Sequence, residues 1–213
     1  MFETINLTMF VISGLLLNIT PGADVLYITS RSASQGTLAG IVAALGIGTG
    51  GLVHIMFATF GLSALLATSA LAFTIVKLIG ASYLVYLGIT TLMSLRKNEN
   101  APHESLLVPD LDKGRIFRQA ILVNVLNPKV ALFFLAFLPQ FVAPHASHPS
   151  LAFLFLGCLF NINGTIVNLI FAVSSAQIAG RVKKISAISH LLKTGVGALF
   201  VWLGLRLAIS TQR

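Results

Sequence analysis

The sequence predicts an all-α integral membrane protein: six transmembrane helices arranged as two inverted three-helix repeats, with helices 1 and 4 broken. Three observations lead there. Of 213 residues, 56% are hydrophobic and only 9% charged, against about a quarter charged in a soluble domain. The apolar residues run in continuous blocks of the length that crosses hydrocarbon, about 20 residues, and do not alternate as the strands of a membrane barrel do. Two of those blocks are interrupted by proline at corresponding places.

Six spans follow in order, at roughly 5–28, 38–60, 71–94, 119–141, 150–174 and 191–210. Residues 37–95 hold only His54 and Lys77 as basic groups and no acidic residue, and are too long for one helix, so the polar "ATSA" at 67–70 marks the turn between spans two and three. The polar segment 96–118, read as a loop or short surface helix, divides a first repeat at 1–95 from a second at 119–213 within a single membrane domain. The N-terminus carries Glu3 and no basic residue, so it lacks the charged region of a cleaved signal peptide and the first span is expected to be retained.

Charge placement sets the expected orientation. Ten of the fourteen basic residues fall after spans one, three and five, from Arg31 through Lys193, and none falls after spans two and four. The bias towards basic cytoplasmic loops puts that side in the cytoplasm. The expected location is the bacterial inner membrane, with both termini outside. The net charge of +8 is thereby explained by topology, and no nucleic-acid partner is expected. Cys158 is the single cysteine, which excludes an intrachain disulfide and a CxxC site.

The halves resemble each other in order. Pro21 matches Pro128 at an offset of 107; Gly50, Val53, Phe57 and Ala58 recur as Gly164, Val167, Phe171 and Ala172; Lys77, Val85, Leu87, Gly88 and Ser94 recur as Lys193, Val201, Leu203, Gly204 and Ser210. Three spans per half require the second copy to sit upside down, a recurring plan of secondary transporters whose site lies between the halves at discontinuous helices.

Proline removes a backbone donor and glycine loosens the turn beside it, and in lipid the freed carbonyls need partners or a wet cavity. Asn18, Thr20, Pro21, Gly22 and Asp24 surround the first break; Asn124, Asn127, Pro128 and Lys129 surround the second. These nine are the candidate site. Asp24 lies seven residues before Arg31, about 10 Å along a helix; it fits a proton carrier, a loose partner of that arginine, or a structural ion pair with Lys129. Lys129 lies eleven residues past Arg118, about 16 Å into the membrane, too deep to snorkel easily. His54 and Asn168, equivalent in the repeat, are secondary candidates that also fit a satisfied buried polar pair. Lys77 and Arg206 read as snorkelling residues, and His145 and His148 as loop histidines without further metal ligands. Gly36, Gly40, Ala44 and Gly48 form a small-residue stripe for close helix packing, which also permits a homodimer.

No HExxH, GxSxG or GxxxxGK[ST] occurs, so neither an enzyme nor an ATP-driven machine is expected, and no metal or cofactor is implied.

The run "NITPGAD" in span one, "GASYLVYLG" in span three and "NVLNPKVALFFLAFLPQF" in span four resembles the LysE/RhtB family of amino-acid exporters over essentially the whole chain. The resemblance implies proton-driven export of small amino acids or close derivatives such as lysine, threonine, homoserine or leucine. It carries over to Asn18, Pro21, Gly22, Asn124, Asn127, Pro128 and Lys129. Many members read TPGP where this chain reads TPGA, so Ala23 predicts a softer break; position 24 is aspartate here and asparagine in some members. The expected mechanism is alternating access, with Lys129 and half-helix N-termini holding the substrate carboxylate, and Asp24 with freed carbonyls near Pro21 holding the ammonium. The partners are then an amino acid, protons and the lipid bilayer. The alternatives are a passive channel or an exporter of another small metabolite or cation.

Overall fold

A computed structural model describes residues 3–64, 70–93, 110–143 and 146–178, with Thr194, Ala198, Val201, Trp202, Gly204 and Leu205 of the C-terminal segment. Most of the sixth span, linker residues 96–109, residues 67–69, His145, Arg206 and the side chain of Lys77 lie outside the described residues.

The described residues are helical. In order they form α1 (Leu7–Ile19), α2 (Ala23–Gln35), α3 (Thr37–Met56, continuing as a π-helical turn over Phe57–Leu62), α4 (Ala70–Met93), α5 (Lys113–Val125), α6 (Pro128–Leu132, continuing as a π turn and a 3₁₀ turn to Phe141) and α7 (Pro149–Ile178). Thr37–Leu62 and Pro149–Gln177 are each long and apolar enough to cross a bilayer. The pairs α1/α2 and α5/α6 pass the same test as bent spans. The chain is thus a multi-pass membrane protein.

The breaks fall where proline was read, with bends of 50° at residues 20–22 and 43° at 126–127. Pro21 removes the donor that a continuous helix needs at the first break, which bends by 50° beside Ala23. Both broken spans reach further than hydropathy suggested. The polar run after Tyr27 stays helical as far as Gln35, and its hydroxyls are satisfied on the helix itself: Ser30 Oγ donates to Tyr27 O (2.9 Å) and Ser34 Oγ to Ser30 O (2.8 Å). Helix α5 starts at Lys113, within the segment read as linker, because the Asp112 carboxylate caps it by accepting from the Arg115 N–H (2.9 Å).

Helix α3 is the centre of the bundle, and its glycines are the reason. A Cβ on Gly46 would lie 2.6 Å from both Ala120 Cβ and Phe117 O of α5, and one on Gly48 would lie 2.7 Å from Thr165 Oγ1 of α7. Gly40 would meet Ser32 of α2 and Ala172 of α7, whose carbonyl also accepts from Ser32 Oγ. Gly40, Ala44 and Gly48 of the small-residue stripe thus pack within the chain, while nothing stands within 4 Å of a Cβ built on Gly36. Gly204 approaches α4 with equal closeness: a Cβ there would lie 2.7 Å from Ala81 O and from Val85 Cγ2.

Two apolar clusters fill the interior. One gathers Phe10, Leu17, Phe133, Phe137, Phe153 and their neighbours around the start of α1 and the end of α6. The other gathers Ile28, Ala43, Ala44, Ile47, Ile116 and Ala172. Ahead of α1, a short segment closes the first cluster: Ile5 N donates to Phe141 O (2.9 Å) and Ala143 N to Glu3 O (2.8 Å). The Glu3 carboxylate accepts from the His148 N–H (3.0 Å); the backbone N–H groups of His148 and Ser147 hold its carboxyl below the usual range.

Two outcomes follow. Gly46→Ala costs about 1–3 kcal/mol, because backbone and not a flexible side chain stands in the way, whereas Gly61→Ala, with contacts no closer than 3.6 Å, is tolerated; thermal unfolding in detergent separates them. Because folding depresses the Glu3 carboxyl, its tether is present above the unfolded pKa and lost as pH falls through the folded one. Amide exchange at Ile5 and Ala143 is therefore faster in Glu3→Gln than in wild type at neutral pH, and the difference vanishes in acid.

Candidate functional site: where two broken helices meet

A helix that meets proline loses the bond from that residue's N–H to the carbonyl four residues earlier. For Pro21 that carbonyl is Leu17 O; for Pro128 it is Asn124 O. At the first break the chain tightens, so that Thr20 N donates to Leu17 O (3.1 Å). The second lone pair is taken from the other half: Lys129 Nζ donates to Leu17 O (3.1 Å) and to Thr20 O (2.9 Å). At the second break Asn127 N donates to Asn124 O (2.9 Å), and His54 Nε2, again from the other half, lies 3.0 Å from the same oxygen. A carbonyl only accepts, so Nε2 carries the proton.

These contacts explain the residues around each proline. A Cβ on Gly22 would sit 3.1 Å from Lys129 Nζ and 3.3 Å from its Cε, so glycine lets the lysine pass. Thr20 anchors the end of α1 by donating its hydroxyl to Leu16 O (2.7 Å). Asn127 caps α6, its Oδ1 accepting from Lys129 N (3.0 Å), with Pro128 in the first helical position, where a missing N–H costs nothing.

Asp24 stands in the first turn of α2, buried, its Oδ2 accepting from Asn124 Nδ2 (3.0 Å). That bond fixes the amide of Asn124, since a carboxylate offers no proton. Among the described residues, Asp24 Oδ1, Asn124 Oδ1, Asn18 Nδ2 and Asn127 Nδ2 are buried without hydrogen-bond partners. Three of these four atoms belong to residues lining one pocket, whose walls draw on both apolar clusters. Its polar wall is Asn18, Asp24, Asn124, Asn161, Thr165 and Asn168, and its apolar wall is Ile47, Val130, Phe134 and Phe160. Phe134 and Phe160 meet edge to face, with ring centroids 5.5 Å apart.

The structure thus divides the sequence-read residues. Asn18, Asp24, Asn124 and the secondary candidate Asn168 line the cavity. Thr20, Pro21, Gly22, Asn127, Pro128 and Lys129 form the hinges behind it. The carbonyls near Pro21, expected to be open to a ligand's ammonium, are occupied by Lys129, and the lysine therefore turns to backbone and not to Asp24. His54 turns to Asn124 instead of Asn168. Arg31 packs over the Tyr27 ring and donates to Gln35 Oε1 (3.0 Å).

Sequence reading missed Asn161, Thr165, Phe134 and Phe160. A signal was available on α7: Asn161, Gly164, Thr165 and Asn168 repeat at helical spacing through an otherwise apolar helix, a polar stripe that a lipid-facing span does not need. Asn161 is held by donating Nδ2 to Gly48 O (3.1 Å). Gly51 and Gly164 leave room for Asn161 and Asn18, respectively.

Comparison with known proteins gives a consistent picture. The sequence profile described as LysE type translocator matches residues 15–211. An uncharacterized membrane protein of Pseudomonas aeruginosa is 31% identical over 203 residues, covering 95% of this chain and 94% of the relative. One from Vibrio cholerae is 31% identical, covering 94% and 95%. The leucine efflux protein of Salmonella typhimurium is 28% identical over 210 residues, covering 97% and 96%. No solved structure matches.

Replacing Lys129 by Met removes two charge-assisted bonds and lowers stability by about 2–3 kcal/mol, measured by thermal unfolding in detergent. Gly22→Ala shows a smaller loss in the same direction, because its methyl displaces the ammonium. Wild-type stability in Lys129→Met would contradict the hinge role.

Proposed function

The chain belongs to the LysE type translocator family, and on that premise we propose that it is a secondary transporter that exports a neutral, apolar amino acid of the leucine type from the cytoplasm. The observation that carries this is the cavity's division into a polar wall with orphaned atoms and an apolar wall. A buried polar atom without a partner costs about 1–3 kcal/mol. A zwitterion supplies the missing partners at once. Its ammonium donates to Asp24 Oδ1 and Asn124 Oδ1; its carboxylate accepts from Asn18 Nδ2 and the Thr165 hydroxyl; its side chain lies against Phe134, Phe160 and Ile47. Among the described residues Asp24 is the single charged residue on this wall, so a second charge on the side chain would be buried unpaired, which disfavours lysine-like substrates. A relative named leucine efflux protein supports the same choice.

Release follows from the same contact. A proton arriving at Asp24 from outside cancels the charge that holds the ammonium, and deprotonation towards the cytoplasm restores it. Each inward proton supplies about 2.3 kcal/mol per 100 mV. The two bent pairs, each followed by a long helix, support reading the halves as inverted repeats that alternate access around this cavity. The expected setting is the bacterial inner membrane, with the termini outside.

The test is efflux from cells that lack their own exporters and are loaded with dipeptides. Leucine or a similar amino acid accumulates outside against its gradient, and Asp24→Asn lowers export about tenfold or more, the loss of one charge-assisted bond. No amino acid above the empty-vector control would overturn the substrate class; equal, gradient-following flux in both directions would favour a channel. Proton-coupled export retained in Asp24→Asn would remove Asp24 from the coupling step.

A further inference from the structure

His54 is a buried ionisable group that the exporter mechanism leaves without a task. It sits on α3, one turn past Gly50, whose missing Cβ would lie 2.8 Å from Asn124 Cβ. The imidazole is held between two elements of the second half. Its Nε2 lies 3.0 Å from Asn124 O, and its ring lies 5.8 Å from that of Phe134, inclined by 33°. Asn124 is therefore gripped twice from the first half: its backbone carbonyl by His54 and its side-chain amide by Asp24 (3.0 Å). Because Pro128 has no N–H to give, the carbonyl's second lone pair is open to the imidazole.

We propose that His54 is a positioning residue of the substrate site: by donating to the carbonyl that Pro128 leaves short, it holds the Asn124 amide against Asp24 with its Oδ1 free in the cavity. This rests on the reading that Asp24 and Asn124 receive the substrate's ammonium. The role mirrors that of Lys129, which donates to Leu17 O across the halves at the first break. It differs in consequence, because the residue His54 holds is itself part of the cavity wall.

Two measurements test it on the full-length protein. The first is a stability cycle in detergent through wild type, His54→Leu and His54→Gln. His54→Leu alone lowers Tm by about 2–4 °C, the shift of one lost bond in a chain of this size. His54→Gln, which keeps a donor for Asn124 O, costs clearly less. An equal cost for leucine and glutamine would overturn the pin.

The second is efflux against internal leucine concentration. His54→Leu raises KM at least fivefold with a smaller change in maximal rate. His54→Gln, whose Nε2 reaches the same carbonyl and still donates, stays within twofold of wild type. A glutamine variant as impaired as leucine, or a leucine variant with unchanged KM, would overturn the positioning role. The stability cycle needs no substrate, so a failure of the pin is told apart from a failure of the exporter reading.

Discussion

Everything in this molecule turns on a carbonyl oxygen that proline has stripped of its helical donor inside a membrane. Water is scarce there, and an unsatisfied backbone group costs several kcal/mol. The chain solves the problem the same way twice. The residue before each proline tightens the turn, and a nitrogen from the opposite half takes the remaining lone pair: Lys129 Nζ at Leu17 O, His54 Nε2 at Asn124 O. Two breaks that each half could not tolerate alone become joints between halves. Gly22, Asn127 and Gly50 follow from this, because each clears space for a joint or aims one.

The joints also determine where the binding chemistry sits. Once Lys129 is spent on α1, Asp24 is left facing Asn124 with one carboxylate oxygen unclaimed. Among the described residues, the cavity wall therefore combines the Asp24 carboxyl group with several amide groups and an aromatic face. That combination suits an ammonium beside an apolar side chain. On the proposed reading, it also puts Asp24 where a proton and a substrate compete for the same oxygen, the minimal requirement for exchange.

Much of this was legible in the sequence, for identifiable reasons. Span positions follow from hydropathy, and the breaks follow from Pro21 and Pro128, because both are one-dimensional properties. The ends of the broken spans were not legible: the helix over "SRSASQ" runs on through polar residues, with Ser30 and Ser34 satisfied on the helix itself, and the start of α5 depends on the Asp112 cap. The candidate residues were found together, but their roles could not be separated. Nothing in "NPK" says whether the lysine faces a cavity or a neighbouring helix end; that is decided by the missing side chain at Gly22, 107 residues away. Asn161 and Thr165 escaped notice because amides and hydroxyls in a span read as minor interruptions until the glycines opposite them show why they face inward.

The measurement that bears most directly on this account is a structure of the protein with L-leucine bound. The account predicts density in the cavity with the amino nitrogen within hydrogen-bond distance of Asp24 Oδ1 and Asn124 Oδ1. It also predicts the side chain against Phe134 and Phe160, and Lys129 still on the carbonyls of Leu17 and Thr20. Leucine bound with its carboxylate on Lys129, or anywhere outside the cavity, would contradict it.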